Sequence, residues 1–194
     1  MNNHYNSDLH HRHSIRLKGY DYSQAGAYFV TICVHERECL FGEIVDGAMQ
    51  VNEFGRITAE EWTRTAEIRK EIELGDFVVM PNHFHGILIF PASPSRKGTT
   101  RHAPMIEQFG KPVAGSLPTI VRAFKSAVTK RINIFRETPG YPVWQRDYYE
   151  HIIRNDADSC RITDYIATNP QRWAEDTLHP DNMNIEVASN VSNR

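Results

Sequence analysis

The chain has 194 residues, of which 40% are hydrophobic and 24% are charged. This length predicts one compact core with short appendages, and the composition is typical of a globular protein. No apolar run approaches the ~20 residues that cross a bilayer, so we expect no membrane role. The N-terminal stretch has no apolar segment of the kind that directs secretion, which predicts a cytoplasmic protein.

The cysteines argue against a covalent or metal-based framework. Cys33, Cys39 and Cys160 are odd in number, and none of them lies in a Cys-x-x-Cys motif. This pattern disfavours both a set of disulfides and a structural zinc site. We therefore interpret the cysteines as buried or incidental thiols.

The net charge of −2 at pH 7 does not by itself predict a protein that binds nucleic acid. The distribution of charge is more informative. One stretch between Leu117 and Arg136 carries only basic charges, namely Arg122, Lys125, Lys130, Arg131 and Arg136. This basic stripe either binds phosphate groups or forms the solvated face of a helix, and the pattern alone favours neither.

The first part of the chain predicts an arm, a strand and a hairpin. Residues 1–19 are polar and rich in histidine, which indicates an arm rather than a packed element. Tyr28–Val34 is β-branched and aromatic, as is typical of a buried strand. Asp46-Gly47 is the strongest short turn signal in the chain and predicts a hairpin over 42–51.

The middle of the chain predicts a helix followed by two strands. Ile57–Ile72 has apolar residues at helical spacing, with Ile57, Ile68 and Ile72 on the face that we expect to be buried. Asp76 marks a break, after which Phe77–Met80 and His83–Phe90 are expected to form two short strands, separated by Pro81-Asn82.

The last part predicts a long loop and two helices. Residues 91–116 exceed the ~12–15 residues usual for a structureless loop, which indicates either a disordered segment or a functional flap. Ser116 is expected to cap a helix that begins at Leu117 and keeps its basic residues facing outward. A final helix is expected to begin at Asn155 or Asp156 and to run to about Asn169.

The predicted elements follow the order β-β-β-α-β-β-α-β-α. This order predicts an α+β fold in which helices pack on an antiparallel sheet. We expect the folded domain to span residues 20–175 and a C-terminal tail to occupy 176–194.

His83-Phe84-His85 is a histidine pair on a predicted strand. Residues two apart on a strand project from the same face, about 7 Å apart along it, so both imidazoles can reach one metal ion. Gly86 follows directly and could let the backbone of a ligand come close. The alternative is two histidines that face solvent or are satisfied by hydrogen bonds, and an isolated His-x-His pattern does not exclude it.

Tyr165 and Asn169 offer oxygen atoms on the last helix. They lie four residues apart, on one helical face and about 6 Å apart along the axis. A metal ion held by two histidines needs at least one oxygen ligand, which a phenol or an amide can supply. Because Pro170 pushes the residue before it out of the α region, Asn169 is the weaker of the two candidates.

With these residues in view, the chain resembles the single-tyrosine HUH transposases and, within them, the REP-associated tyrosine transposases. The resemblance covers most of the chain and is carried by SIRLKGYDYSQAGAYFVTIC, MPNHFHGILI, SLPTIVRAFKSAVTKRIN, VWQRDYYEHIIRN and DYIATNP. It implies a ferredoxin-like, RRM-like core in which His83 and His85 bind Mg²⁺ or Mn²⁺. It also implies that Tyr165 is the nucleophile and Asn169 the third metal ligand.

The resemblance further implies the reaction and the partner. Tyr165 would cut single-stranded DNA beside a hairpin through a 5′-phosphotyrosine and rejoin it without a nucleotide cofactor. The partner is then single-stranded or hairpin DNA, and the protein acts as a monomer or homodimer. Arg122, Lys125, Lys130 and Arg154 are the candidates for contacts to the DNA backbone.

Tyr148 and Tyr149 are an alternative source of the nucleophile, because some HUH replication initiators use two tyrosines. Neighbouring residues on a strand face opposite sides, which favours packing or base stacking for this pair. We interpret the nearby His151 as structural.

Three other classes of protein fit parts of the pattern. A histidine-triad hydrolase needs a third alternating histidine, and Ile87 occupies that position. A non-catalytic DNA- or RNA-binding protein derived from a transposase would use the fold only to hold hairpins, and intact His83, His85 and Tyr165 argue against it. The basic stripe disfavours a metal-binding scaffold that has no nucleic-acid partner.

Overall fold

The computed structural model describes residues 20–92 and 113–182. The predicted arm at 1–19, most of the predicted loop at 91–116 and the end of the predicted tail lie outside the described residues. Within the part of the chain that is described, no helix is long and apolar enough to cross a bilayer.

The strands and helices of the described residues follow the predicted order. The strands are β1 (Gly26–Cys33), β2 (Gly42–Val45), β3 (Ala48–Val51), β4 (Glu73–Val79), β5 (His83–Phe90) and β6 (Tyr149–Ile153). The helices are α1 (Glu53–Ile68), α2 (Leu117–Phe135) and α3 (Asp156–Thr168). The main sheet has the order β4-β5-β1-β6 and is antiparallel throughout, which confirms the predicted α+β fold.

Strand β5 contributes to both faces of this sheet, because successive side chains of a strand point to opposite sides. Phe84 and Leu88 belong to the larger hydrophobic core on the first face. Ile87 belongs to a smaller apolar cluster on the second face. His83 and His85 alternate with Phe84 and therefore lie on the second face.

Helices α1 and α2 cover the first face. The buried Trp62 ring of α1 has its centroid 4.8 Å from that of Phe84 and 5.1 Å from that of Phe124 on α2. Gly86 lies against the same indole, since a Cβ atom there would come 2.8 Å from a ring atom of Trp62. The missing side chain of Gly86 serves core packing, and the prediction that it admits a ligand is wrong.

Helix α3 covers the second face with few apolar side chains. Ile162 and Ile166 pack against Phe29 of β1 and Ile87 of β5. Because this cluster is small, the rest of the space between α3 and the sheet is available to polar groups.

Strands β2 and β3 form a separate two-stranded sheet. Asp46 and Gly47 have φ of 51° and 73°, the left-handed conformation that a tight hairpin turn of this kind requires, so the predicted turn is confirmed. Gly47 lies against Gln171 in the 3-10 segment Pro170–Glu175 that follows α3. The hairpin therefore braces the chain beyond α3.

The bounds of α1 differ from the prediction. The helix begins at Glu53, where the Asn52 side chain accepts hydrogen bonds from the first turn, and it ends at Ile68. Ile68 is 69% exposed, so its predicted burial is wrong. Ile72 is buried as predicted, but it lies beyond the end of the helix.

Two further local predictions need correction. Strand β4 begins at Glu73, and a bulge after Leu74 absorbs Asp76, which the sequence marks as a break. Ser116 occupies the N-cap position of α2, but its side chain makes no hydrogen bond to the helix. Its hydroxyl instead donates to the carbonyl oxygen of Val113 at 2.7 Å.

Candidate active site

Strand β5 places His83 and His85 side by side beneath α3. Their ring centroids are 4.5 Å apart. Both residues are buried, with exposures of 0% and 2%. The alternative of two histidines that face solvent is therefore excluded.

A hydrogen-bond network behind His83 fixes its orientation. The Asn82 amide donates to the carbonyl oxygens of Arg37 and Leu178, at 3.2 and 2.8 Å. The Oδ1 atom of Asn82 therefore faces Nδ1 of His83, at 2.8 Å, and this nitrogen must be the donor. The Nε2 atom of His83 keeps its lone pair, as a metal-binding histidine requires.

Tyr165 of α3 reaches the same pair of histidines. Its hydroxyl oxygen lies 3.3 Å from Nε2 of His85. The other ring nitrogen of His85, Nδ1, lies 2.8 Å from Oγ1 of Thr31 on β1. The Tyr165 ring packs edge-on against Phe29, and the residue remains 37% exposed. The phenol thus lies beside the buried imidazoles and is still open to a substrate.

Burial disfavours the charged forms of His83, His85 and Tyr165. It lowers the pKa of His83 to about 4 and the pKa of His85 well below its usual value. It raises the pKa of Tyr165, and the negative charge of Asp176 adds to that shift. At neutral pH both imidazoles are neutral, so their lone pairs are available to a cation.

Asn169 lies at the end of α3 with φ of −56° and ψ of −43°. The prediction that Pro170 moves it out of the α region is wrong, because the chain continues into the 3-10 segment. Its carboxamide opposes the effect of burial on two neighbours: it raises the pKa of His83 and lowers the pKa of Tyr165. Asn169 is buried, and its Oδ1 has no hydrogen-bond partner in the described part of the chain.

Asp176 joins this group, although the sequence predicts only a tail from this residue onward. Its Oδ2 lies 3.9 Å from Nε2 of His83 and accepts a hydrogen bond of 3.4 Å from Asn169. One ligand atom from each of His83, His85 and Asp176 lies within 4.8 Å of the others. Sequence reasoning missed Asp176. The available signal was that a metal ion held by two histidines needs an oxygen ligand, which an aspartate shortly after Asn169 can supply.

These side chains fit a divalent cation. Nε2 of His83 and Oδ1 of Asn169 are buried atoms without a hydrogen-bond partner among the described residues. Buried polar atoms are rarely left unpaired, and one bound ion would satisfy both. Imidazole nitrogens combined with amide and carboxylate oxygens are a donor set that suits several divalent metals.

A cavity of about 520 Å³ opens beside Tyr165. Tyr148 and Tyr149 both line it. Tyr148 also packs against the larger core, whereas Tyr149 is 48% exposed and offers a ring for stacking. His151 makes a 2.7 Å contact from Nε2 to Oδ2 of Asp158 and so ties β6 to α3, which agrees with its predicted structural role.

The predicted DNA-contacting residues are spread over the molecule. Arg122 and Lys130 are exposed on α2, which lies on the opposite side of the sheet from the histidines. Lys125 does not face outward as predicted. Its ammonium donates to two backbone carbonyl oxygens of the segment before β6, at 2.7 and 2.9 Å, and burial lowers its pKa to about 8. Arg154 is exposed between β6 and α3.

Comparisons with known proteins identify relatives along most of the chain. The sequence matches no family model. It is 39% identical over 184 residues to an uncharacterized protein of Haemophilus influenzae, which covers 93% of this chain and 100% of the relative. It is 27% identical over 170 residues to a second protein of the same organism, named "Putative REP-associated tyrosine transposase", which covers 83% of this chain and 84% of that protein.

A solved structure of a REP-associated tyrosine transposase bound to a REP hairpin shares the fold. The TM-score is 0.52 at 21% identity, over 82% of this chain and 72% of the other. The fold in question is an antiparallel sheet with helices packed against it. The chain is thus similar in sequence to a putative REP-associated tyrosine transposase and shares the fold of a solved one, which supports a transposase-like function.

Proposed function

We propose that this protein is a metal-dependent transesterase that cuts and rejoins single-stranded DNA near hairpins, with Tyr165 as the nucleophile. One observation supports this proposal most directly. The Tyr165 hydroxyl lies 3.3 Å from His85, beside a group that includes Nε2 of His83 and Oδ1 of Asn169, two buried atoms with no hydrogen-bond partner among the described residues. A histidine-triad hydrolase is not supported, since Ile87 packs in the core where its third histidine would lie.

The residues that would hold the metal ion are His83, His85 and Asn169, with Asp176 as a further carboxylate ligand. When bound, Mg²⁺ or Mn²⁺ supplies Lewis-acid stabilisation of the scissile phosphate and aligns it with the nucleophile. The protein keeps both imidazoles neutral by burial and fixed through the hydrogen bonds at their Nδ1 atoms.

In the cutting step, the Tyr165 oxygen attacks the phosphorus of one DNA linkage and the bond from phosphorus to the 3′ oxygen breaks. The phenol proton leaves, and the 3′ oxygen takes up a proton, which gives a 5′-phosphotyrosine and a free 3′-hydroxyl. An ordinary phenol with pKa ~10 is ionised in only about one molecule in a thousand at pH 7, a deficit of ~4 kcal/mol that the site must offset. Reversal of the step onto another 3′-hydroxyl rejoins DNA without a nucleotide cofactor.

The substrate class is proposed from the family and from the open cavity. The solved relative is bound to a REP hairpin. The exposed ring of Tyr149 in the cavity offers a stacking surface for an unpaired base. Arg122, Lys130 and Arg154 are candidates for contacts to the DNA backbone outside the cavity, in a monomer or a homodimer.

The test is a search for a covalent protein–DNA adduct. The protein is incubated with Mn²⁺ and a labelled pool of single-stranded hairpins with randomised flanks, and then denatured before electrophoresis. The unaltered chain should form an adduct that survives denaturation, Tyr165→Phe should form none, and His83→Ala should form far less.

Tyr149→Phe is the matched variant and should still form the adduct. If Tyr149→Phe abolished the adduct while Tyr165→Phe kept it, the nucleophile would have to be reassigned. Hairpin binding without an adduct from the unaltered chain would point to the non-catalytic alternative.

A further inference from the structure

We propose that Arg37 binds the scissile phosphate and stabilises the negative charge that develops on it, in the cavity that Tyr165 also lines. This inference rests on the proposed DNA-cutting reaction. Arg37 lies in neither the metal-binding group nor the basic stripe, and it follows β1 in a 3-10 turn at His35–Arg37.

The position of Arg37 connects it to the candidate site. It lines the cavity together with Tyr165 and His85. Its backbone carbonyl accepts a hydrogen bond of 3.2 Å from Asn82, the residue that orients His83. The positive charge of Arg37 also lowers the pKa of His83, in addition to the larger effect of burial. Asn82 thus contacts both the backbone of Arg37 and the imidazole of His83.

The backbone at Arg37 is strained. Glu36 and Arg37 have φ of 53° and 56°, a left-handed conformation that residues other than glycine rarely adopt. The Arg37 N–H donates to the carbonyl oxygen of Val34 at 3.0 Å, and this bond helps to hold the turn. Strained residues persist only where the surrounding structure enforces them, and they cluster at functional sites.

The charge of Arg37 is available to a ligand. Within the described residues its guanidinium makes no ion pair, whereas Arg161, which lines the same cavity, is paired with Asp158 at 2.6 Å. A guanidinium presents planar N–H donors that match the oxygens of a phosphate. Of these two cavity arginines, Arg37 is therefore the one suited to bind the DNA backbone.

In the proposed reaction, the guanidinium of Arg37 would stabilise the negative charge that develops on the phosphate. As the bond from the Tyr165 oxygen to phosphorus forms and the bond to the 3′ oxygen breaks, negative charge builds on the non-bridging oxygens. Arg37 stays protonated throughout, because a guanidinium does not lose its proton in proteins. Donors aimed at such developing charge accelerate a reaction by roughly 10²–10³-fold.

The experiment compares two chemical linkages at the cut site. A hairpin that forms the adduct is synthesised with either a normal phosphodiester or a neutral methylphosphonate, in which a methyl group replaces one non-bridging oxygen. With the phosphodiester, Arg37→Gln should slow single-turnover adduct formation roughly 100-fold, and Arg37→Lys should restore part of the rate. With one or both diastereomers of the methylphosphonate, Arg37→Gln should slow the reaction less than about fivefold, because a methyl group replaces the charged oxygen that Arg37 would bind.

Arg64→Gln is the control, since it removes an exposed arginine charge from α1, on the other side of the sheet. It should change the rate on either linkage by less than about twofold. If Arg37→Gln slowed adduct formation equally on both linkages, or not at all, the proposed role of Arg37 would be overturned. The proposed DNA-cutting reaction would not be affected by that result. Absence of an adduct from the unaltered chain would overturn the reaction and this role together. Arg37→Lys gives the same comparison if Arg37→Gln does not fold.

Discussion

The two faces of the central sheet differ in what fills them. On the side of α1 and α2, Trp62, Phe84 and Phe124 form a closed aromatic core. On the side of α3, the apolar cluster is small and His83 and His85 take the remaining space. The same strand, β5, supplies side chains to both faces. Substitutions on the first face should therefore act mainly on the free energy of unfolding, and substitutions of the polar residues on the second face should act mainly on the proposed metal binding and catalysis.

The largest effect is expected from opening the aromatic core. Trp62→Ala removes a fully buried indole and should lower the free energy of unfolding by about 3–5 kcal/mol. Urea unfolding followed by circular dichroism measures this loss. Ile166→Val, which removes one methylene on the α3 side, should cost only about 0.5–1.5 kcal/mol. Equal losses for the two variants would contradict the contrast between the faces.

Gly86→Ala tests the contrast within β5 itself. The added Cβ would lie 2.8 Å from ring atoms of Trp62 and Phe84, so overpacking should lower the free energy of unfolding by about 1–3 kcal/mol. The affinity of the folded protein for Mn²⁺, measured by titration calorimetry, should stay the same although His85 is adjacent. A weaker Mn²⁺ affinity with unchanged stability would instead assign this glycine to the metal site.

On the second face, Asn82→Ala should weaken Mn²⁺ binding about 10–100-fold. The substitution removes the acceptor for Nδ1 of His83 and the donor that anchors the carbonyl of Leu178. Thr31→Val is the matched variant, because it removes only the hydrogen-bond partner of His85 and should weaken binding less. Titration calorimetry of both variants checks this order, and the reverse order would refute the central role given to Asn82.

The smallest expected effect is a dependence of stability on pH. Burial lowers the pKa of His83 from 6.5 to about 4. Between pH 6.5 and about pH 4, the unfolded chain therefore binds a proton at this histidine and the folded chain does not. The free energy of unfolding falls as the pH falls through this range. For the metal-free protein, this group should cost about 1 kcal/mol between pH 7.5 and pH 5.5. Urea unfolding with a chelator present measures the loss, which His83→Gln should reduce. If the loss were the same in His83→Gln, the pH dependence would come from other groups.

The elements that carry the candidate site could be predicted because their signals are local. The run His83–Phe90 has the apolar and β-branched residues of a buried strand, and it forms β5 with those bounds. The last helix begins after Asn155, whose side chain accepts a hydrogen bond from the Asp158 N–H, as expected of an N-cap. The meeting of Tyr165 with the histidines was implied by the family resemblance, since helical and strand spacing say nothing about which elements pack together.

Contacts that depend on the path of the chain could not be predicted in this way. Asp176 reaches His83 because the 3-10 segment continues beyond α3. Lys125 has the spacing of an outward-facing residue, yet it bonds to carbonyl oxygens of a segment that lies beside it only in the folded protein. Ile68 and Ile72 share helical spacing, but the helix ends between them, so only Ile72 reaches the core.

The tip of the β2–β3 hairpin rests on Gln171, in the segment that leads to Asp176. A turn far upstream in the sequence thereby supports the carboxylate beside the two candidate metal-binding histidines. An insertion, a shortened loop or a fused tag at Asp46-Gly47 would alter that support even if the hairpin itself still formed. Variants altered at this turn should therefore be assayed for Mn²⁺ affinity as well as for folding.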